Sequence, residues 1–144
     1  MADVQATVQR VTGVAQTFRA MAGTILSEAQ KKHHDGALDD AGLAQVKEAY
    51  NRTLAQASDM LVDLDDALAA SLDVPLSRIE QATKQLEQSQ ATIAKAAMLV
   101  NVALKVVEAA TAVALLVGAP TPAGVAAAVS AIGDVISAAS PPAG

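Results

Sequence analysis

The chain has 144 residues, a formal net charge of -5, 52% hydrophobic residues and 1% aromatic ones, with one Phe, one Tyr, no Trp and no Cys. The length suits one domain with a real core, and the lack of cysteine excludes a disulfide framework, a zinc-thiolate site and a thiol nucleophile. All of the excess acid lies in Met1 to Val74, and an acidic chain without a basic stripe or stacking aromatics is a poor partner for nucleic acid.

Much of the apolar content is alanine, the best helix former and a poor strand former, so the chain is read as all-α. In the first segment Val4, Val8, Val11, Ala15, Phe18, Ala22, Ile25 and Ala29 recur three and four apart, which predicts an amphipathic helix. It stops near His34, where Lys31 and Lys32 suit the negative end of the helix dipole and Gly36 offers a left-handed exit. Asp39 or Asp40 can cap a second helix with Leu43, Val46, Tyr50, Leu54, Ala57, Leu61, Leu64 and Leu68 on its apolar face. That helix is expected to end at "SLDVP", since Pro75 disfavours a helical Val74, with the next helix starting at the proline or at Ser77.

The third segment carries a heptad seam. Ile79, Leu86, Ile93, Val100 and Val107 recur every seven residues, and Ala82, Ser89, Ala96, Ala103 and Ala110 follow three behind them. Large residues alternating with small ones let helices pack closely, as in a coiled coil or left-handed antiparallel bundle. The seam predicts one helix from Leu76 to Val117, about 60 Å long. After Ala96 its flanks turn apolar as well, in Met98, Leu99, Val102, Leu104 and Val106. Gly118, Pro120, Thr121 and Pro122 then specify a reversal, and the last helix places Val125, Val129, Ile132, Ile136 and Ala139 on its main face. The expected fold is an elongated antiparallel four-helix bundle. Three helices are long, and a shorter, very apolar C-terminal helix forms a hairpin with helix 3. One domain spans 1–139, with the hairpin at about 100–139 and a flexible tail at 140–144.

Candidate chemistry is sparse. His33, His34 and Asp35 are possible metal ligands, but adjacent histidines at a helix end do not form a cage. Di-iron bundles need Glu-x-x-His pairs on facing helices, whereas both histidines here sit in one loop. Asp59, Asp63 and Asp66, with Asp65 and Asp73 nearby, read as a solvated acidic surface suited to solubility or a basic partner. No phosphate loop or nucleophile triad is evident, so the chain is expected not to be an enzyme, with no cofactor, no metal and no small-molecule substrate.

The charge-free run from Ala109 to Gly133 is broken at its centre. Ala109 to Val117 is too short to span a bilayer, which leaves a hairpin of about Val100 to Val117 and Pro122 to Ala139 as the membrane option. Asn101, Lys105, Glu108 and Asp134 form its polar stripe, which in a membrane has to face a lumen or pair internally. This Ala-, Val- and Gly-rich pattern, over about Val100 to Ala139, resembles the hydrophobic hairpins of α-helical pore-forming toxins and secretion translocators. The resemblance implies conditional membrane insertion, or pore or translocation assembly. The alternative is a soluble oligomeric scaffold or adaptor that binds partner helices with the hairpin permanently buried. The association or insertion surface is expected at Val100, Leu104, Val107, Val113, Leu116, Val125, Ala128, Val129, Ile132 and Ile136. The partner is another copy, another helical protein or a lipid bilayer. The start "MADVQATVQRVTG" lacks the pattern of a signal peptide, so a cytoplasmic or leaderless exported protein with no single-span transmembrane helix is expected.

Overall fold

Alanine-rich segments with helical spacing and few breakers fold here into helices that bury their apolar faces against one another. The computed structural model describes residues 4–60, 66–89, 92–93, 99–119 and 121–139. Among the described residues five helices are given bounds: α1 (Val4–His34), α2 (Asp40–Asp59), α3 (Asp66–Gln88), α4 (Leu99–Gly118) and α5 (Pro122–Ala139). The expectation of an all-α chain holds, but among the described residues the helices number five rather than four. The tail at 140–144 lies outside the described residues.

The first turn follows its local chemistry. Gly36 has φ of 80°, a left-handed conformation that spares only glycine a Cβ clash, and it lets the chain leave α1. Asp39 is the cap: its backbone is extended, and Gly42 N–H donates to its Oδ1 at 2.7 Å. Arg19 donates to Ser58 Oγ at 3.3 Å, so the end of α2 lies beside the middle of α1. On α1, Val11, Ala15, Phe18, Ala22, Ile25 and Ala29 are buried, as the spacing predicts. On α2 the buried set is Gly42, Val46, Ala49, Thr53 and Ala57, whereas Leu43, Tyr50 and Leu54 are half-buried. Small residues occupy the contact line because they allow close helix approach, and the larger ones border it.

Two expected boundaries are displaced. The second helix ends at Asp59, well before "SLDVP", and Pro75 lies inside α3. The sequence from 59 to 66 holds four aspartates, which oppose the negative C-terminal end of a helix dipole and favour the N-terminal end of a new one. Leu61 and Leu64, expected on the second helix, lie outside the described residues together with Asp63 and Asp65. An interior proline costs about 3 kcal/mol. Immediately after it Leu76 and Ile79 are 2% and 1% exposed, and burying two such side chains is worth about 1.5 to 3 kcal/mol each. Packing outweighs the proline.

The 60 Å third helix is also corrected. Ser89 N–H is shared between the Gln85 and Leu86 carbonyls at 3.0 and 3.2 Å, which tightens the end of α3. Ile93 N–H then bonds to the Ser89 carbonyl at 2.9 Å, and α4 begins at Leu99. The seam nevertheless survives the break: Ile79, Ala82, Leu86, Ile93, Ala103, Val107 and Ala110 are all buried, while Val100 is half-buried. A heptad repeat reports which residues face the core and is silent on whether the helix axis is continuous.

The break places α4 at the centre. It packs against every other helix, most closely against α5 and α2, whereas α5 packs on α4 and α3, and α1 packs on α2, α3 and α4. Ala103 and Val106 of α4 meet Ala22 and Ile25 of α1 and Val46, Ala49 and Thr53 of α2 around a void of only about 10 Å³. On the far side of α1, Arg10 donates to Glu80 Oε1 from Nε at 3.0 Å and from Nη2 at 2.5 Å, and to Ser77 Oγ at 3.0 Å. Gly13 and Thr17 share a surface groove with Thr83 and Glu87, so α3 runs in the same direction as α1. Among the described residues every buried side-chain polar atom is hydrogen-bonded. The buried Thr83, for example, donates to the Ile79 carbonyl of its own helix at 3.0 Å.

Candidate association site

The site is built from α4 and α5 and the connection between them. Thr121 caps α5, its Oγ1 accepting from Gly124 N–H at 2.9 Å, and Pro122 takes the first helical position, where no N–H is needed. A Cβ on Gly124 would lie 3.0 Å from that hydroxyl and 3.2 Å from Leu116 Cδ1, so glycine permits both the cap and the contact with α4. Thr121 and Pro122 thus act as their spacing predicts, whereas Gly118, expected to leave the helix, is its last residue and has no positive φ; Pro120 lies outside the described residues.

Each helix divides into an inner and an outer face. Leu99, Val102, Ala103, Val106, Val107, Ala109, Ala110, Val113, Leu116 and Val117 of α4 are buried. Its outer stripe is Asn101, Leu104, Lys105, Glu108 and Leu115, with Leu104 at 43% and Leu115 at 69% exposure. These two are the exposed large hydrophobic residues among the described ones. Lys105 Nζ and Glu108 Oε2 lie 3.4 Å apart, one turn along the helix, so the two charges of α4 are paired. On α5, Val125, Ala128, Ile132 and Val135 are buried. Its outer face carries small residues and one charge: Ala123, Ala126, Ala127, Ser130, Gly133, Asp134 and Ser137.

Most of the expected association residues therefore point inward. Val107, Val113, Leu116, Val125, Ala128 and Ile132 are core residues, Val100, Val129 and Ile136 are half-buried, and Leu104 alone is exposed. The polar set of Asn101, Lys105, Glu108 and Asp134 does lie on the outer faces, with Lys105 half-buried at its edge. The expected set omits Leu115. Its signal is the spacing Asn101, Glu108, Leu115, seven residues each, which puts it on the polar stripe of α4.

The expectation that no helix is long enough for a single span is corrected. By length and composition α4, with 20 residues, is long and apolar enough to cross a membrane, and half of that span is buried inside the fold. A charge-free run counted from Ala109 omits the first half of the helix, whose charges sit on one stripe. Elsewhere, His33 Nε2 contacts Asp40 Oδ1 at 2.5 Å beside the first turn. Among the described residues no group of three or more His, Asp or Glu comes together as a metal site. Family models, curated proteins and solved structures were compared with the chain, and none matches it.

Proposed function

We propose that this is a non-enzymatic helical protein that acts by association, and that α4 and α5 form a helical hairpin stored in an elongated antiparallel bundle and released from it into a membrane. The observation that supports this reading best is the make-up of α4: a length and composition fit for a bilayer, with its two charges paired on one stripe. Ionised groups cost about 2.5 to 3.5 kcal/mol each at the centre of a membrane helix, and an internal pair facing a lumen or another helix lowers that cost. The buried residues of α4 would exchange one apolar surrounding for another. An oligomeric pore or translocation assembly follows if several hairpins turn their polar stripes toward one another.

The second reading is a soluble scaffold or adaptor whose hairpin never leaves the core. It is favoured by the contact of α4 with all four other helices, since extracting it dismantles the fold. A reversible lock separates the two. The chain has no cysteine, so Ala49→Cys with Ala103→Cys, two positions bordering the same void, can tie α4 to α2. Liposome flotation and dye release should be lost in the oxidised protein and return on reduction. If neither the wild type nor the reduced variant floats or releases dye at neutral or acidic pH, membrane entry is ruled out.

A further inference from the structure

The charges of the hairpin lie at one level. At a rise of about 1.5 Å per residue, Glu108 is about 15 Å and Lys105 about 20 Å from the α4 end at Gly118, and Asp134 is about 18 Å from the α5 start at Pro122. Between these levels, from Ala109 through the turn to Gly133, the chain carries no charge. The two helices pack on each other more closely than on any other helix, so heights along both arms are measured from the same turn. The hydrocarbon core of a bilayer is about 30 Å thick, of which one leaflet supplies about 15 Å. The charge-free half of the hairpin therefore matches one leaflet.

A hairpin driven through both leaflets would hold Lys105, Glu108 and Asp134 near the midplane, where ionised groups are least tolerated. One lysine cannot neutralise two carboxylates, so a single copy keeps a net negative charge at that level even with Lys105 paired to Glu108. The turn, by contrast, is fit for hydrocarbon, which tolerates only backbone that is satisfied within the protein. Pro120 and Pro122 have no N–H. Ala119 N–H donates to the Leu115 carbonyl at 2.9 Å, Val125 N–H to the Thr121 carbonyl at 3.0 Å, and Gly124 N–H to Thr121 Oγ1 at 2.9 Å. The polar side chains from Ala109 to Gly133 are the hydroxyls of Thr111, Thr121 and Ser130, a group that a helix can satisfy from its own backbone. Thr111 does so, donating to the Val107 carbonyl at 2.8 Å.

We infer that the released hairpin enters one leaflet only, turn first, with the turn near the midplane and Lys105, Glu108 and Asp134 held in the headgroup layer. This placement rests on the membrane entry proposed above and fixes its depth. The three charges sum to one negative charge and the whole chain carries -5, so anionic lipid offers no attraction. Zwitterionic phosphatidylcholine is the membrane that the hairpin fits.

The test uses phosphatidylcholine vesicles and the full chain with Ala123→Cys, an exposed position beside the turn in a protein that has no other cysteine. Vesicle-bound chains are recovered by flotation, at neutral and acidic pH, and met with a charged, membrane-impermeant maleimide either added outside or trapped inside. The expected result is flotation with the thiol protected from both sides, and labelling once detergent dissolves the vesicles. Lys105→Gln, Glu108→Gln and Asp134→Asn together remove the charges and should let the turn cross, so that the trapped reagent labels the thiol. Ala126→Lys places a charge about 6 Å from the start of α5 and should abolish flotation. Circular dichroism in water should stay unchanged in these variants, because the substituted side chains are solvent-accessible in the stored state. Labelling from inside with the three charges in place means a spanning hairpin, and overturns the depth while membrane entry stands. Labelling from outside means adsorption without entry and overturns the inference, as does a neutralised hairpin that still fails to cross. Flotation by none of the chains overturns membrane entry and the depth together.

Discussion

The α1–α2 pair and the α4–α5 pair are built from similar small and aliphatic residues but spend their surfaces differently. The first pair keeps a clear division between a buried stripe and a charged outer face. The second carries three charged residues in all, Lys105, Glu108 and Asp134. A helix that is apolar nearly all round needs neighbours nearly all round. In α4 those neighbours are the other four helices, and on the outer stripe the cover runs out, leaving Leu104 and Leu115 in solvent. The difference teaches that central position and membrane competence draw on the same composition, and that the uncovered stripe is where the two readings part.

The sharpest way to break this comparison is to charge the centre. Ala110 is fully buried in α4, and Ala110→Asp should unfold the bundle or cost more than about 3 kcal/mol by urea denaturation, because the carboxylate would have no partner there. The same change at the exposed Ala127 of α5 should stay within about 0.5 kcal/mol. Equal losses at both sites would end the distinction between inner and outer faces. In the first pair, Phe18→Ala removes the one phenylalanine, fully buried on α1, and should cost about 3 to 5 kcal/mol, with a lowered melting temperature as the readout.

Smaller effects sharpen the boundaries between regions. Thr121→Ala removes the cap at the start of α5 and should cost about 1 kcal/mol, visible as faster hydrogen exchange in the first turn of that helix. Unchanged exchange there would show that α5 is held by packing alone. Arg10→Ala breaks the link from α1 to Glu80 and Ser77 on α3. That pair is about one-third exposed, so the loss should be about 0.5 kcal/mol and should shrink further in high salt.

Sequence periodicity made the inner faces legible, because burial imposes a spacing on apolar side chains wherever a helix exists. It read α1, the turn at Gly36 and Asp39, the reversal at Thr121 and Pro122, and the buried seam positions Ile79, Ala82, Leu86, Ile93, Ala103, Val107 and Ala110. It misplaced the end of α2 at Asp59, the start of α3 at Asp66 and the end of α3 at Gln88, for two reasons. Pro75, the strongest local breaker, is tolerated inside α3 because Leu76 and Ile79 pack beside it. Ser89, a weak one, marks the end of α3, and nothing in the heptad changes across it. For the candidate site, spacing found the polar stripe, and of the expected association surface Leu104 is exposed while Val107, Val113, Leu116, Val125, Ala128 and Ile132 are buried within the fold.

The sequence by itself determined an all-helical chain, the buried stripe of each helix and the turns with local caps, since these follow from propensity, spacing and short-range hydrogen bonds. Only the tertiary structure decided that α3 ends at Gln88 within the long seam, that α4 lies at the centre, and that Leu104 and Leu115 face out. Those outcomes depend on which neighbours are available to cover an apolar surface, and that choice is made between segments far apart in the chain.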